Sequence, residues 1–224
     1  MAATLQQFLA RAATRQRVVV IGGLAVIAHG LSRPTKDGDA WLDPLESAAA
    51  WTVRLRETLA EFPGTTLWSL AERRVAQPEE LEEIATLDGV VRVCGLNTDL
   101  DIFYKPNGLD CAEFSAVWER ALPWAEAVRV MEPVDLILTK EGTGRQRDRT
   151  DISHLEGRLH TELGGRLSTA TRAEAEAIFA RFVDHAVAAR ALENPDPAVQ
   201  ALAREILTEL AAQGDPFARD ALEL

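Results

Sequence analysis

At 224 residues, with 47% hydrophobic and 26% charged residues, the chain has the composition of a soluble globular protein and room for one well-packed domain with a modest helical appendage. That length argues against two large domains. The lack of any apolar run of about 18 residues argues against a membrane span. A net charge of -11 disfavours a broad nucleic-acid-coating surface, which needs a basic face. Met1 to Gln16 carries scattered arginines and no continuous apolar stretch of signal-peptide length, so the expected location is the cytoplasm. Cys94 and Cys111 match no zinc or redox spacing and are expected to be reduced and structural.

In chain order, Leu5, Phe8, Leu9 and Ala12 fall at helical spacing and predict a helix over Thr4 to Arg15. The β-branched run Arg17 to Ile21 predicts a strand, and Gly22-Gly23 turns it into a short helix from Leu24 to His29 that stops near Gly30. Asp37 to Asp43 reads as a second strand, and Pro44 is expected to open a long helix ending before Pro63-Gly64. A strand over Thr65 to Leu70 and an acidic helix over Glu79 to Ile84 follow. Val90 to Cys94 and Asp99 to Tyr104 are two strands joined at Gly95 to Thr98, as in a hairpin. Cys111 to Arg120 is helical and Val128 to Met131 a short strand. Beyond Pro133 the pattern is helical throughout: Val134 to Lys140, Asp148 to His160, Thr171 to Leu192, Pro197 to Ala212 and a short tail.

The expected architecture is therefore α/β (α+β), a mixed β-sheet with flanking helices followed by a C-terminal helical region. Gly164-Gly165 interrupts the helical pattern, which places the core at 1–160 and the helical region at 161–224. Charge is unevenly spread. Met1 to Lys36 contains no aspartate or glutamate but has Arg11, Arg15, Arg17, Arg33 and Lys36; a second cationic cluster is Lys140, Arg145, Arg147 and Arg149. If these converge they make a positive site on an acidic body, suited to a polyphosphate. The alternative is two solvated faces.

Four features recur in order: Gly22-Gly23 at a strand-to-helix turn, Arg33-x-Thr35, Asp37-Gly38-Asp39, and Asp99-Leu100-Asp101-Ile102. Together they resemble the signature of nucleotidyltransferases of the DNA polymerase beta superfamily. The stretch IGGLAVIAHGLSRPTKDGD is most similar to the bacterial abortive-infection toxin-like members. The segment VMEPVDLILTKEGTGRQRDRTDISHLEG adds Lys140, Arg147, Asp148 and Asp151 at familiar positions, so the resemblance covers roughly the first 160 residues. Gly38 departs from the apolar residue usual between the two aspartates, which leaves the regularity of that strand open.

The resemblance implies transfer of a nucleoside monophosphate from a nucleoside triphosphate to an acceptor, with release of pyrophosphate. Asp37, Asp39 and Asp101 are the expected magnesium ligands and catalytic carboxylates. Alternate strand residues share a face, so Asp37 and Asp39 can point together, and a third carboxylate from a neighbouring strand lets two ions sit about 3.5 to 4 Å apart. Periodicity alone does not choose between Asp99 and Asp101; Asp101, between Leu100 and Ile102, lies inside the apolar strand and is preferred. Gly22 and Gly23 let phosphate approach the backbone. Arg33, Thr35 and Lys140 complete the expected nucleotide site, with the two cations neutralising triphosphate charge.

Alternatives stand beside each reading. Lys140 could face solvent at a helix C-terminus, and Arg147 to Asp151 could be an exposed i,i+4 pair. The acceptor stays open among an RNA end, a protein hydroxyl and a small molecule. The rival function is a catalytically inactive binding protein of the same fold, such as one member of a toxin–antitoxin pair with a cognate protein partner.

Overall fold

The computed structural model describes residues 3–223, which fall into two compact units, 3–152 and 153–223. The chain begins with α1 (Leu5–Ala13), held at its start by Thr4, whose hydroxyl accepts from the Gln7 N–H while the Gln7 side chain accepts from the Thr4 N–H. Leu5, Phe8, Leu9 and Ala12 are its buried face. Then come β1 (Val18–Val20), α2 (Gly22–Ala28) and β2 (Asp37–Leu42). The two glycines are the first residues of α2 rather than a turn before it.

The next helix, α3 (Ala48–Leu59), does not start at Pro44 as expected. Asp43 accepts from the Leu45 N–H at 3.0 Å and Leu45 takes a left-handed φ of 56°, which makes a turn. Ser47 then caps the helix by accepting from the Ala50 N–H. A hairpin of β3 (Thr66–Ser69) and β4 (Arg74–Ala76) precedes α4 (Leu81–Leu87) and a second hairpin, β5 (Val90–Cys94) with β6 (Asp99–Phe103). After α5 (Phe114–Arg120) a third hairpin joins β7 (Leu122–Ala125) to β8 (Val128–Val130), and α6 (Pro133–Lys140) and α7 (Gln146–Leu167) follow.

The eight strands form one mixed sheet in the order β4-β3-β5-β6-β2-β1-β8-β7. Two pairings are parallel, β2 with β6 and β1 with β8; the rest are antiparallel. β4 and β7, which the sequence does not reveal, are the two edges. They are short and mostly exposed, and Pro123 in β7 fits only an edge, where a missing N–H costs no ladder bond. Val18, Val19 and Val20 are all fully buried, as expected of a central strand covered on both faces.

Gly38 does not disturb β2. The strand pairs regularly with β6 across it, and a Cβ there would stand 2.2 Å from Leu5 Cδ1 and 3.1 Å from Leu24 Cδ1. Glycine is present because α1 packs directly onto the strand backbone at this point.

In the second unit, α7 runs unbroken through Gly164-Gly165. A side chain at Gly164 would meet Arg190 Cγ at 3.1 Å, so the glycine serves close packing rather than a break. The expected single helix over Thr171 to Leu192 is two, α8 (Arg172–Phe179) and α9 (His185–Ala191). Asp184 divides them by accepting from the Ala186 and Val187 N–H groups, which starts a new helix. α10 (Pro197–Ala212) and α11 (Pro216–Glu223) complete the unit. Among the described residues, no helix is long and apolar enough to cross a membrane.

Candidate active site: an acidic cleft walled by anchored cations

The site is built on the parallel pair β2–β6. Its register sets Asp37 opposite Asp99 and Asp39 opposite Asp101, so carboxylates from two strands share one face of the sheet. Antiparallel pairing then sets Arg92 of β5 opposite Asp101. A cavity of about 530 Å³ opens over this face. Gly22, Gly23, Arg33, Thr35, Asp37, Asp39, Asp101 and Lys140, the residues singled out from the sequence, all line it.

The carboxylates differ in surroundings. Asp101 is buried at 7% exposure, and Asp37 is partly exposed. Asp39 accepts from the Gly23 N–H at 3.1 Å. Burial pushes the Asp39 carboxyl up from 3.8 to about 6; the Gly23 bond and the Lys140 charge oppose the rise, and the negative charges of Asp101 and Asp37 add to it. Gly22 is required here twice over. It holds φ at 57°, and a Cβ on it would fall 2.2 Å from Asp39 Oδ2. A Cβ on Gly23 would be 2.8 Å from Thr35 Oγ1, and the Thr35 hydroxyl itself donates to the Asp37 carbonyl at 2.9 Å. The two glycines thus allow the start of α2 to lie against the acidic strand.

Opposite stand cations with anchors of their own. Asp151, fully buried, accepts two hydrogen bonds from Arg33, Nε to Oδ1 at 2.8 Å and Nη2 to Oδ2 at 2.7 Å, and pairs with Lys140 Nζ at 2.8 Å. Lys140 also reaches Asp148 at 3.2 Å, and Thr143 donates to the same carboxylate at 2.7 Å. Burial works against the charge of Asp148, but Thr143 and Lys140 outweigh it and hold its carboxyl below the usual range. Lys140 is 7% exposed, so it is not a solvated helix-end lysine. Arg147 does not form an exposed helical pair with Asp151; it donates to the Pro34 carbonyl at 2.8 Å and ties α7 to the loop before β2.

The two cationic clusters meet only in part. Arg33, Arg145, Arg147 and Lys140 line the cleft, whereas Arg11 and Arg15 pair with Glu61 and Arg17 pairs with Asp43 at 2.7 Å. Cys94 and Cys111 are free thiols.

Sequence reasoning left out the residue in closest contact with the carboxylates. Arg92 donates to both oxygens of Asp101, from Nε at 2.6 Å and Nη2 at 2.9 Å, and from Nη2 to Asp37 at 3.0 Å. Hydrogen bonding to Asp101 holds its guanidinium above its usual pKa, so it is firmly charged. The available signal was a lone charge in Val90-Val91-Arg92-Val93, placed opposite Asp101 by the hairpin turn at Gly95 to Thr98. Among the described residues, no three His, Cys, Asp or Glu side chains are grouped to hold a metal ion.

A divalent ion nevertheless suits the donor set. The site offers hard carboxylate oxygens, and Asp39, which Arg92 does not contact, is left with a carboxyl that resists ionisation beside two other anions.

Fold and cleft together define an α/β protein in which an acidic sheet face confronts anchored cations. No protein-family model matches the chain, and no curated protein sequence matches it. Among solved structures, it is similar to a candidate nucleotidyltransferase of H. pylori at 15% identity, covering 98% of this chain and 92% of that one with a TM-score of 0.38. A second, JHP933 from Helicobacter pylori, is 16% identical, with 98% and 95% covered and a TM-score of 0.37.

Proposed function

We propose that the protein is a magnesium-dependent nucleotidyltransferase that moves a nucleoside monophosphate from a nucleoside triphosphate to an acceptor hydroxyl. The observation that carries this reading is the register of β2 against β6, which sets Asp37, Asp39 and Asp101 on one wall of a cavity whose other wall holds Arg33 and Lys140.

The triphosphate lies between the walls, its phosphates beside Gly22 and Gly23, which line the cavity, and its charge met by Lys140 and Arg33. Asp151 keeps those two cations from collapsing onto the catalytic carboxylates, so they are presented without rearrangement. Asp37, Asp39 and Asp101 would hold magnesium, which would supply activation of the attacking oxygen and charge stabilisation on the leaving group. In transfer, the acceptor oxygen forms a bond to the α-phosphorus, the bond from that phosphorus to the bridging oxygen breaks, and pyrophosphate leaves. A carboxylate oxygen of Asp101, inside the strand, takes the acceptor's proton.

The test is incubation with each α-labelled nucleoside triphosphate, magnesium and cell extract, followed by identification of what becomes labelled. Label in an acceptor that is lost with Asp39→Asn supports the reading. Bound nucleotide without transfer to any acceptor overturns it. One observation favours a second reading, a nucleotide-binding protein without catalysis: Arg92 already satisfies Asp37 and Asp101. Such a protein binds triphosphate equally well in EDTA and in magnesium.

A further inference from the structure

We propose that Arg92 is a displaceable internal counter-ion of the active site. It clamps Asp37 and Asp101 in the metal-free protein, discourages a divalent ion from binding alone, and passes to the phosphates when metal and triphosphate arrive together. The inference rests on the proposed function and adds to it an order of binding and a further phosphate-binding residue.

Three observations carry it. The first is what Arg92 holds. A guanidinium satisfied by a remote aspartate would be ordinary architecture, but its partners are two of the three carboxylates expected to bind metal, one of them in a two-bond fork. A metal ion entering alone must both break those bonds and sit beside a fixed positive charge.

The second is contrast with the other cations of the cleft. Arg33 and Lys140 are neutralised by Asp151 and Asp148, and Asp151 is fully buried and outside the carboxylate trio. Metal binding would leave their ion pairs intact. Only for Arg92 would it remove the anchors and set free a cation inside the cavity.

The third is room to move. The Arg92 side chain is 25% exposed and lines the cavity, so its head can swing without unpacking the core. Its strand is pinned on both sides, β3 through Trp68 and β6 through Asp101, so any motion belongs to the side chain. Asp99, on the same face of β6, already contributes to the field around Arg92, but it offers a single carboxylate where a triphosphate offers several oxygens in the fork geometry that guanidinium prefers.

The experiment measures Mn²⁺ binding by calorimetry and by electron paramagnetic resonance, with and without α,β-methylene-ATP. The proteins are wild type, Arg92→Gln and Arg92→Lys, each checked for folding by circular dichroism. In wild type, Mn²⁺ alone should bind weakly, and the analogue should tighten it by about tenfold or more. Arg92→Gln should bind Mn²⁺ alone about tenfold tighter than wild type, bind the analogue more weakly, and lose most of the coupling. Arg92→Lys, a point charge without the fork, should fall between.

Metal affinity and coupling unchanged in both variants overturn the proposal. If Arg92→Gln fails to fold, Arg92→Lys and the wild-type coupling decide it, and wild type binding Mn²⁺ equally with and without the analogue overturns it. The two readings separate cleanly. Tighter Mn²⁺ binding in Arg92→Gln without analogue binding in any protein supports the clamp on the carboxylates, overturns the hand-over to phosphate, and defeats the nucleotidyltransferase reading. Analogue-dependent metal binding that ignores Arg92 does the reverse.

Discussion

Replacing Asp39 by asparagine should stabilise the metal-free protein. In the fold, burial and the neighbouring carboxylates lift the Asp39 carboxyl from 3.8 to about 6. Because the folded chain holds this proton more tightly than the unfolded chain, ionisation works against folding: the penalty is absent below the unfolded value, grows as pH rises, and is complete above the folded one. About two units at 1.4 kcal/mol each give a penalty of about 3 kcal/mol at pH 8 and about 1 kcal/mol at pH 4.5. Asparagine removes the charge and keeps an oxygen for the Gly23 N–H. The assay is urea denaturation in EDTA followed by tryptophan emission, which reports the first unit alone because all five tryptophans lie within it. Asp39→Asn should gain up to about 3 kcal/mol at pH 8, with most of the gain lost by pH 4.5. Saturating Mg²⁺ with triphosphate should reverse the order, since only the wild type keeps all three carboxylates. A variant no more stable than wild type at pH 8, or a gain that ignores pH, refutes the reasoning.

Asp151→Asn should cost about 3 to 5 kcal/mol, because Arg33 and Lys140 would lose a fully buried partner; the same denaturation experiment measures it, and a loss under 1 kcal/mol would show the cations to be solvated instead. Gly38→Ala should destabilise by about 1 to 3 kcal/mol through the close approach to Leu5. Pairing it with Leu5→Ala should recover part of that loss, and no recovery would mean the contact is not the cause. Asp101→Asn should reduce nucleotidyl transfer by orders of magnitude, whereas Asp99→Asn, opposite Asp37 but nearer the hairpin turn, should retain most of it. The reverse result in a transfer assay would move the third carboxylate to Asp99.

The sequence was most informative where one residue type has one use. β1 and β5 were legible from β-branched runs bounded by glycine, and the order Gly-Gly, Arg-x-Thr, Asp-x-Asp, Asp-x-Asp marked residues of which all but Asp99 line a single cavity. Reading failed at features set by distant parts of the chain. Nothing local says that Gly38 is there for α1 or that Gly164 makes room for Arg190. Asp184 is a different case: its cap is local, but it sits inside an otherwise continuous helical pattern that masked it. The edge strands β4 and β7 lack alternating burial and so left no periodic signal. Arg92 escaped because a single charge in a strand declares itself only once its cross-strand partner is known.

The pairing of β2 with β6 also bears on the order in which the molecule assembles. These strands are neighbours in the sheet, but α3, β3, β4, α4 and β5 lie between them in the chain. Their parallel alignment closes a long loop and is expected late in folding, whereas the β5–β6 hairpin is local and expected early. Arg92 and Asp101 belong to that hairpin, so their bond can form before Asp37 and Asp39 arrive. The incoming acidic strand then docks onto an edge whose charge is already balanced, and the arginine that guards the finished cleft also eases its construction from mutually repelling parts.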